Sequence, residues 1–309
     1  MSIGRRTLLK GLAVVGAASA VPVAAEASAA RKFHRKPDDV GMLYDTTLCV
    51  GCRACMTKCK ESNKLPYDRT ELNGAIYDAP DRLNGTTKNV IQVADLGEGK
   101  WAFMKAQCMH CVDPACVSVC MAHALHKSAG GVVAYKPATC VGCRYCQVGC
   151  PFDVPKFEWT KAFPLIVKCE LCRHRAVPEA TGALAVANPA CCEACPREAV
   201  IYGTVADLKA VAEKRIAESP EKYNPKIYGL DDGGGTQVMY LTASGVDFAG
   251  LGLPDLGNEP LPATAEHVQH TTYKWFAAPT LLYGFLAFTI YRNQKKEAAA
   301  AAHGHGEGK

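Results

Sequence analysis

Cys140-Val-Gly-Cys143-Arg-Tyr-Cys146-Gln-Val-Gly-Cys150-Pro151 is the most informative stretch of this sequence. Three cysteines follow one another at intervals of three residues, a fourth comes four residues later, and a proline follows. This spacing is typical of cysteines that bind a [4Fe-4S] cluster. Such a loop presents three thiolates to one cluster, whereas the fourth cysteine, on the next turn, reaches a neighbouring cluster. The motif therefore predicts partner motifs elsewhere in the chain.

The cysteines of the whole chain fall into four such sets, which we number in chain order. The sets are Cys49, Cys52, Cys55 and Cys59; Cys108, Cys111, Cys116 and Cys120; Cys140, Cys143, Cys146 and Cys150; and Cys169, Cys172, Cys191 and Cys195. The second set has two extra residues before its third cysteine, and the fourth has a longer insertion. Sixteen of the 17 cysteines are thus assigned, and they predict four [4Fe-4S] clusters. Cys192 is left over.

Disulfides and zinc are the alternative uses of so many cysteines. Disulfides are favoured in exported proteins, but the tight Cys-x-x-Cys spacing and the odd total argue against them. A tetrahedral zinc ion usually takes two cysteines from each of two separated pairs. Three of the sets instead place three cysteines within seven or nine residues. Iron–sulfur clusters are therefore the preferred interpretation.

The formal net charge of +5 does not indicate nucleic-acid binding. The first 29 residues hold three basic residues and one acidic residue, which leaves +3 for the rest. Each cluster with four thiolates adds about −2, so the mature protein with its clusters is expected to be acidic. No basic stripe suited to nucleic acid is present in the sequence.

Residues 1–29 resemble a twin-arginine signal peptide. Gly4-Arg5-Arg6-Thr7-Leu8-Leu9-Lys10 precedes an apolar run, 11–25, and a small-residue cleavage site at Ala27-Ser28-Ala29. An N-terminal membrane anchor is the alternative, but the run is short and rich in alanine. Twin-arginine export suits a protein that must cross the membrane folded around its cofactors.

Short strands are predicted before and after the cysteine sets. We expect them at 42–46, 90–93, 101–105, 132–135 after a Gly130-Gly131 turn, 164–167, 199–203 and 237–242. The segment 61–100 is predicted to be mostly loop. Apolar residues at helical spacing predict a packing helix over 205–219. Gly233-Gly234-Gly235 lacks the lysine and the helix of a phosphate-binding loop, so we assign it no nucleotide.

The run 275–291 predicts a single transmembrane helix. It holds 17 uncharged residues, about 25 Å of helix and the lower limit for a bilayer. Aromatic residues lie at its ends, and Arg292, Lys295 and Lys296 follow, which places the C-terminus in the cytoplasm. A buried helix of a soluble domain is the alternative. The tail, 292–309, is predicted to be disordered.

The sequence shows no motif for bond-making catalysis. It contains no G-x-S-x-G elbow, no H-E-x-x-H helix and no dinucleotide fingerprint. Every cluster iron is offered a cysteine, so no open iron is left for a substrate. The chain is therefore predicted not to be an enzyme by itself but to transfer electrons. Basic residues beside the ligands, namely Arg53, Arg144, Lys168 and Arg173, are candidates for raising cluster potentials, with plain surface cations as the equal alternative.

From Gly41 to about Arg292 the sequence resembles the HybA family, the membrane-anchored iron–sulfur subunits of periplasmic uptake [NiFe] hydrogenases. The stretches that carry the resemblance are 41–52, 108–120, Lys168-Cys169-Glu-Leu-Cys172 and Val268-Gln-His270-Thr-Thr-Tyr-Lys274. The cysteine motifs alone, and the stretch 234–240, are equally similar to the iron–sulfur subunits of formate dehydrogenases. Met121 departs from the family pattern, which has proline after the cysteine equivalent to Cys120.

The resemblance implies a ligand pairing in which the outer sets share two clusters and the inner sets share two. The four ligand groups are group 1, Cys49, Cys52, Cys55 and Cys195; group 2, Cys108, Cys111, Cys116 and Cys150; group 3, Cys120, Cys140, Cys143 and Cys146; and group 4, Cys59, Cys169, Cys172 and Cys191. Cys191 is preferred to Cys192 because it keeps the spacing to Cys195. Cys192 is then expected to be a buried spare.

The resemblance also implies a function. The family receives electrons from the small subunit of a [NiFe] hydrogenase dimer and passes them to a multi-span quinone-reactive membrane subunit, as part of an H2:quinone oxidoreductase. His267 and His270 are expected to be interfacial polar residues, with a place near the quinone as the alternative. Two other functions stay open: an iron–sulfur beta subunit of a formate dehydrogenase or other molybdopterin oxidoreductase, and a soluble periplasmic ferredoxin-type carrier.

The predicted fold class is α+β, with two ferredoxin-like dicluster modules in one domain and a C-terminal transmembrane helix. The predicted organisation is a signal peptide (1–29), a linker (30–42), the four-cluster domain (43–205), an extension that packs on the domain and reaches the membrane (206–274), the transmembrane helix (275–291) and the tail (292–309). The expected location is the periplasmic face of the inner membrane.

Overall fold

The computed structural model describes residues 33–36, 38–67, 80–175, 177–178, 184–185 and 188–304. Described residues up to Pro262 form one compact unit, which holds all the cysteines, and residues from Ala263 belong to a second unit. The helices are α1 (Ala54–Asn63), α2 (Ala115–Ser118), α3 (Tyr145–Val148), α4 (Ala190–Glu193), α5 (Val205–Glu218) and α6 (Leu261–Gly304). The strands are β1 (Val40–Asp45), β2 (Asn89–Asp95), β3 (Trp101–Gln107), β4 (Leu125–Lys127), β5 (Val133–Tyr135), β6 (Lys156–Phe157), β7 (Ile166–Val167), β8 (Val177–Pro178), β9 (Leu184–Ala185), β10 (Val200–Thr204) and β11 (Val238–Leu241).

A three-stranded sheet in the order β10-β1-β11 forms the centre of the cysteine-rich unit. β1 pairs with β10 in antiparallel fashion and with β11 in parallel fashion. Because side chains alternate along a strand, Met42 and Tyr44 enter the core that contains the cysteines, while Leu43 packs against α5. β1 is thus buried on both faces.

Four two-stranded hairpins complete the unit, namely β2-β3, β4-β5, β6-β7 and β8-β9. They confirm the strands predicted near 90–93, 101–105, 132–135 and 164–167. The predicted Gly130-Gly131 turn is confirmed as well, since Gly130 and Gly131 have φ of 67° and 73°, a region that glycine enters without steric cost. The mixed α and β content agrees with the predicted class.

The helix predicted over 205–219 is confirmed as α5. Its N-terminus is capped by Thr204, whose hydroxyl accepts a hydrogen bond from the Asp207 amide at 3.2 Å. Val205, Leu208 and Ala212 are buried against Leu43 and Met239. The strand predicted at 237–242 is confirmed as β11, so part of the predicted extension joins the central sheet.

The predicted span 275–291 lies inside α6. Large apolar side chains of α6 are exposed, among them Trp275, Leu281 and Phe288. Among the helices of the described residues, none is both long enough and apolar enough to cross a membrane. The predicted transmembrane helix at 275–291 is therefore unconfirmed.

Candidate iron–sulfur sites

The same local geometry recurs in all four cysteine sets. The third cysteine of each set, Cys55, Cys116, Cys146 or Cys191, is the second residue of a helix, α1, α2, α3 or α4. Three of these helices have only four residues, and the fourth cysteine is the second residue after their ends. This turn of the chain separates the third cysteine from the fourth, as ligation of two different clusters requires.

The first and third sets share positive-φ residues at two positions between their first and third cysteines. Gly51 and Gly142 have φ of 68° and 70°, and Arg53 and Arg144 have φ of 61° and 67°. Positive φ is rare for residues other than glycine. Its recurrence at two arginines shows that the Cys-Val-Gly-Cys-Arg sequence takes one conformation in both sets.

The thiols of group 1 line a single cavity. Cys49, Cys52, Cys55 and Cys195 surround it together with Lys105. Burial raises the pKa of Cys49, and the nearby Cys195 and Cys52 raise it further. Burial also raises the pKa of Cys55 to about 12, against the charge of Lys105, which lowers it. The first and fourth sets therefore meet, although about 140 residues separate them in the chain.

The thiols of group 3 line a second cavity. Its walls hold Cys120, Cys140, Cys143 and Cys146, with apolar side chains of Phe157 and Ile166. Burial raises the pKa of Cys146 to about 11, with contributions from the other three thiols of the group.

Groups 2 and 4 contain no exposed cysteine, and all four cysteines of group 4 are buried. The pKa of Cys111 is raised by burial and by the nearby Cys116, Cys108 and Cys150, which are the other members of group 2.

In group 4, the pKa of Cys169 is raised by burial and by Cys191, Cys59 and Cys172, which are its other members, and lowered by the charge of Lys105. The thiols of each of the four groups thus lie near one another in the structure. Iron binding by these groups stays a prediction.

The groups follow one another in the order 3, 2, 4, 1. Burial raises the pKa of Cys116 of group 2, and the nearby Cys146 of group 3 raises it further. Burial also raises the pKa of the Tyr240 hydroxyl, and Cys169 of group 4 and Cys108 of group 2 raise it further, so Tyr240 lies near both groups.

Between groups 4 and 1, Cys191 raises the pKa of Cys55, after burial and against Lys105. Each end of this series has an exposed cysteine, Cys143 in group 3 and Cys52 in group 1.

The buried cation Lys105 was not singled out by the sequence. It lies on β3 and is fully buried, with an exposed fraction of 0%, and its ammonium donates to the side-chain oxygen of Gln107. Among the ion pairs of the described residues, none includes Lys105. The signal available in the sequence was a lysine between apolar residues of a strand that leads into a cysteine set.

The buried charge of Lys105 shows whether the cysteines suit iron–sulfur clusters. An unpaired buried charge is strongly unfavourable. Burial lowers the pKa of Lys105, but the thiols of Cys191, Cys55 and Cys169 raise it more, so the pKa is raised above its ordinary value. The thiolates of these cysteines, which cluster binding would supply, are placed to balance this ammonium. The donor set and this cation therefore fit the clusters.

The four basic residues predicted to flank the ligands differ in burial. Lys168 is buried and donates hydrogen bonds to the carbonyls of Val133 and Cys169. Arg173 and Arg144 are exposed, and the Arg144 guanidinium lies 4.2 Å from the ring centre of Trp159. Of these three, only Lys168 has the burial expected of a residue that acts strongly on a cluster.

Cys192 is buried, as expected, and its thiol interacts with that of Cys191. This interaction lowers the pKa of Cys191 below its ordinary value, against burial, which raises it.

In the described part of the chain, no three His, Cys, Asp or Glu side chains converge closely enough to hold a single metal ion.

Two predicted features lie outside what the structure describes. The signal peptide, 1–29, is outside the described residues. His267 and His270 lie in α6, but their side chains are outside the described part.

Comparison with known proteins agrees with this geometry. Residues 99–205 match the model of the 4Fe-4S dicluster domain. The chain is 41% identical over 292 residues to the hydrogenase-2 operon protein HybA of Escherichia coli O157:H7, covering 84% of this chain and 87% of that protein. It is 34% identical over 218 residues to the formate dehydrogenase-O iron–sulfur subunit of Escherichia coli K12, covering 69% and 68%. The extent and identity of the first match show that this chain belongs to the family of HybA-type iron–sulfur subunits.

Proposed function

We propose that this chain is an electron-transfer subunit that relays electrons through four [4Fe-4S] clusters. On this proposal its donor is the small subunit of a periplasmic [NiFe] hydrogenase dimer, and its acceptor is a quinone-reactive integral membrane subunit. The chain is not catalytic by itself. The whole complex is an H2:quinone oxidoreductase.

The observation that carries the proposal is the series of four thiol groups in the order 3, 2, 4, 1. Each group has four cysteines, the number that a [4Fe-4S] cluster needs. Groups 2 and 4, in the middle of the series, have no exposed cysteine, while groups 3 and 1, at its ends, have one each, Cys143 and Cys52. A series whose end groups are accessible to partners and whose middle groups are shielded suits entry of electrons at one end and exit at the other.

The residues of this chain hold and shield the clusters. When bound, the clusters supply one-electron redox chemistry. The backbone amides of Gly51 and Leu171 donate to the sulfur atoms of Cys49 and Cys169, each at 3.4 Å. Such bonds stabilise the negative charge of a thiolate.

Apolar residues supply the shield around the clusters. Met56 and Leu171 are 1% exposed, and they belong to the same core as the cysteines. They exclude water from groups 2 and 4.

The surface beside group 3 suits a protein partner. Val141, Tyr145 and Val148 flank its ligands in the chain and are 57–85% exposed. Trp159, which Arg144 covers, is exposed as well. Exposed apolar residues that cluster in this way mark interaction sites.

For the location, we propose twin-arginine export to the periplasmic face of the inner membrane, with the C-terminus in the cytoplasm. The support for export is the sequence of residues 1–29. The support for membrane attachment through α6 is its row of exposed aromatic and aliphatic side chains, such as Phe276, Phe285 and Ile290. Water is an unfavourable solvent for such a surface.

Metal and acid-labile sulfide analysis of the native complex, with subunits identified by mass spectrometry, tests the proposal. We expect this chain to account for about sixteen iron and sixteen sulfide, and nickel to be present in the partners. Iron near zero with zinc present would overturn the electron-transfer function. Full iron without nickel would leave that function standing and reassign the partner.

A formate dehydrogenase or another molybdopterin oxidoreductase is the second candidate partner. The similarity to formate dehydrogenase iron–sulfur subunits, 34% over 69% of this chain, favours it. The same metal analysis separates the two candidates, because molybdenum or tungsten would replace nickel. A soluble carrier would purify with neither partner and without detergent.

A further inference from the structure

Lys105 is a fully buried cation in the middle of the β2-β3 hairpin. Its backbone is held from two sides, since β3 pairs Lys105 with Ile91 of β2, and the Tyr240 hydroxyl donates to the Lys105 carbonyl at 2.7 Å. The side chain has an exposed fraction of 0%. A lysine so placed cannot extend its ammonium into water, as lysines at the edge of a core usually do.

The ammonium of Lys105 faces two of the four thiol groups. It lines the cavity of group 1 together with Cys55. It also interacts electrostatically with Cys169 and Cys191 of group 4. The ammonium donates a hydrogen bond to the neutral side-chain oxygen of Gln107.

A fixed cation in this position favours the reduced state of a neighbouring cluster. Reduction adds one negative charge to a cluster that is already negative. The attraction between that charge and the ammonium is large in a buried, low-dielectric place and falls with distance. Groups 1 and 4 are therefore the ones affected most.

We propose that Lys105 is an electrostatic positioning residue, shared by groups 1 and 4, that raises the reduction potentials of the two clusters they hold. The inference rests on the proposed four-cluster function. Its consequence is that electrons settle more readily at the group 4 and group 1 end of the series. The alternative is that Lys105 only stabilises the folded chain.

Groups 2 and 3 provide an internal reference. The cations that act on group 2 are the half-buried Lys127 and the buried Lys168. Burial raises the pKa of Cys111 and of Cys116, and Lys127 and Lys168 respectively lower it. These two lysines stay in place when Lys105 is replaced. A change at Lys105 should therefore move two potentials out of four.

The test is a redox titration of the purified complex followed by electron paramagnetic resonance, with Lys105→Met. We expect two of the four midpoint potentials of this subunit to become more negative by about 59 mV, which is a tenfold change in a one-electron equilibrium. Lys100→Met on the same hairpin is the matched control. Its side chain is 72% exposed, and its removal should leave all four potentials unchanged.

Two further variants keep the test decisive if Lys105→Met prevents assembly of the complex. Lys105→Gln keeps a hydrogen-bond donor without the charge and should give the same two shifts. Lys105→Arg keeps the charge and should restore the wild-type potentials. Loss of iron in both neutral variants with recovery in Lys105→Arg supports a requirement for charge. Loss of iron that arginine does not restore assigns a purely structural role and overturns the inference.

The outcomes separate this inference from the proposed function. If the wild-type complex lacks about sixteen iron in this subunit, the proposed function fails. If the wild-type iron is complete and the neutral variants keep it with four unchanged potentials, or with four equal shifts, only the role of Lys105 is refuted.

Discussion

The outer and inner pairs of cysteine sets offer the same ligands on different frameworks. The outer pair, sets one and four, adjoins the central sheet and lies on α1, a helix of ten residues, and on the four-residue α4. The inner pair, sets two and three, depends on helices α2 and α3 of four residues and on hairpins with strands of two or three residues. Elements this short are unstable alone. The comparison suggests that the inner pair relies on its bound clusters for order more than the outer pair does.

Removing the clusters should give the largest effect, a loss of protection from hydrogen exchange, and it tests the comparison of the two pairs directly. After iron is extracted with a chelator, we expect amides of β4 to β7 to lose their protection from hydrogen exchange down to the level of frayed segments. Amides of β1, β10 and β11 should keep part of theirs, because the sheet has its own apolar core. Hydrogen exchange followed by mass spectrometry measures both. Equal loss in the two regions would refute the difference in frameworks.

A buried carboxylate provides a second test, confined to the outer pair. Asp45, 0% exposed, accepts hydrogen bonds from Arg215 at 2.9 Å and from the Tyr223 hydroxyl at 3.0 Å. Removing one partner of a buried ion pair destabilises a protein by about 3–5 kcal/mol, and the partial exposure of Arg215 places Asp45→Ala at the lower end. Denaturant unfolding of the cluster-loaded protein measures this.

The control for Asp45→Ala is Glu213→Ala on α5, which removes an exposed pair with Lys209. Exposed pairs contribute only about 0–1 kcal/mol. A loss at Asp45 no larger than that at Glu213 would show that the carboxylate does not stabilise the sheet.

The smallest expected effect compares the same glycine in the two pairs. Gly51 and Gly142 both have φ near 70°, where alanine is strained by about 1–2 kcal/mol. A Cβ at Gly51 would lie 2.3 Å from the Phe103 ring, whereas no described atom lies within 4 Å of one at Gly142. Gly142→Ala should therefore show the strain alone, and Gly51→Ala an additional loss of about 1–3 kcal/mol from crowding.

Unfolding midpoints of the two glycine variants, measured with the clusters bound, decide the matter. Equal losses would mean that the Phe103 ring moves aside at no cost. A larger loss at Gly142 would contradict the packing difference between the outer and inner pairs.

Much of the cysteine arrangement was predictable because ligand spacing is a local property of the chain. The sets, the turn at Gly130-Gly131, and the strand and helix around Thr204 all follow from residues close in sequence. The burial of Lys105 was not predictable, because it depends on Tyr240 and on cysteines of the fourth set, which lie far along the chain. The parallel pairing of Leu43 with Met239 is non-local in the same way.

The sequence by itself determined the kind of ligand, the number of cysteine sets and the short strands between them, because each of these depends on residues within a few positions of one another. Only the tertiary structure decided the order of the four thiol groups, which two cysteines are exposed at its ends, and which lysine is enclosed between two groups. Those features depend on how distant segments pack, and packing distributes burial and electric field among residues that no local pattern connects.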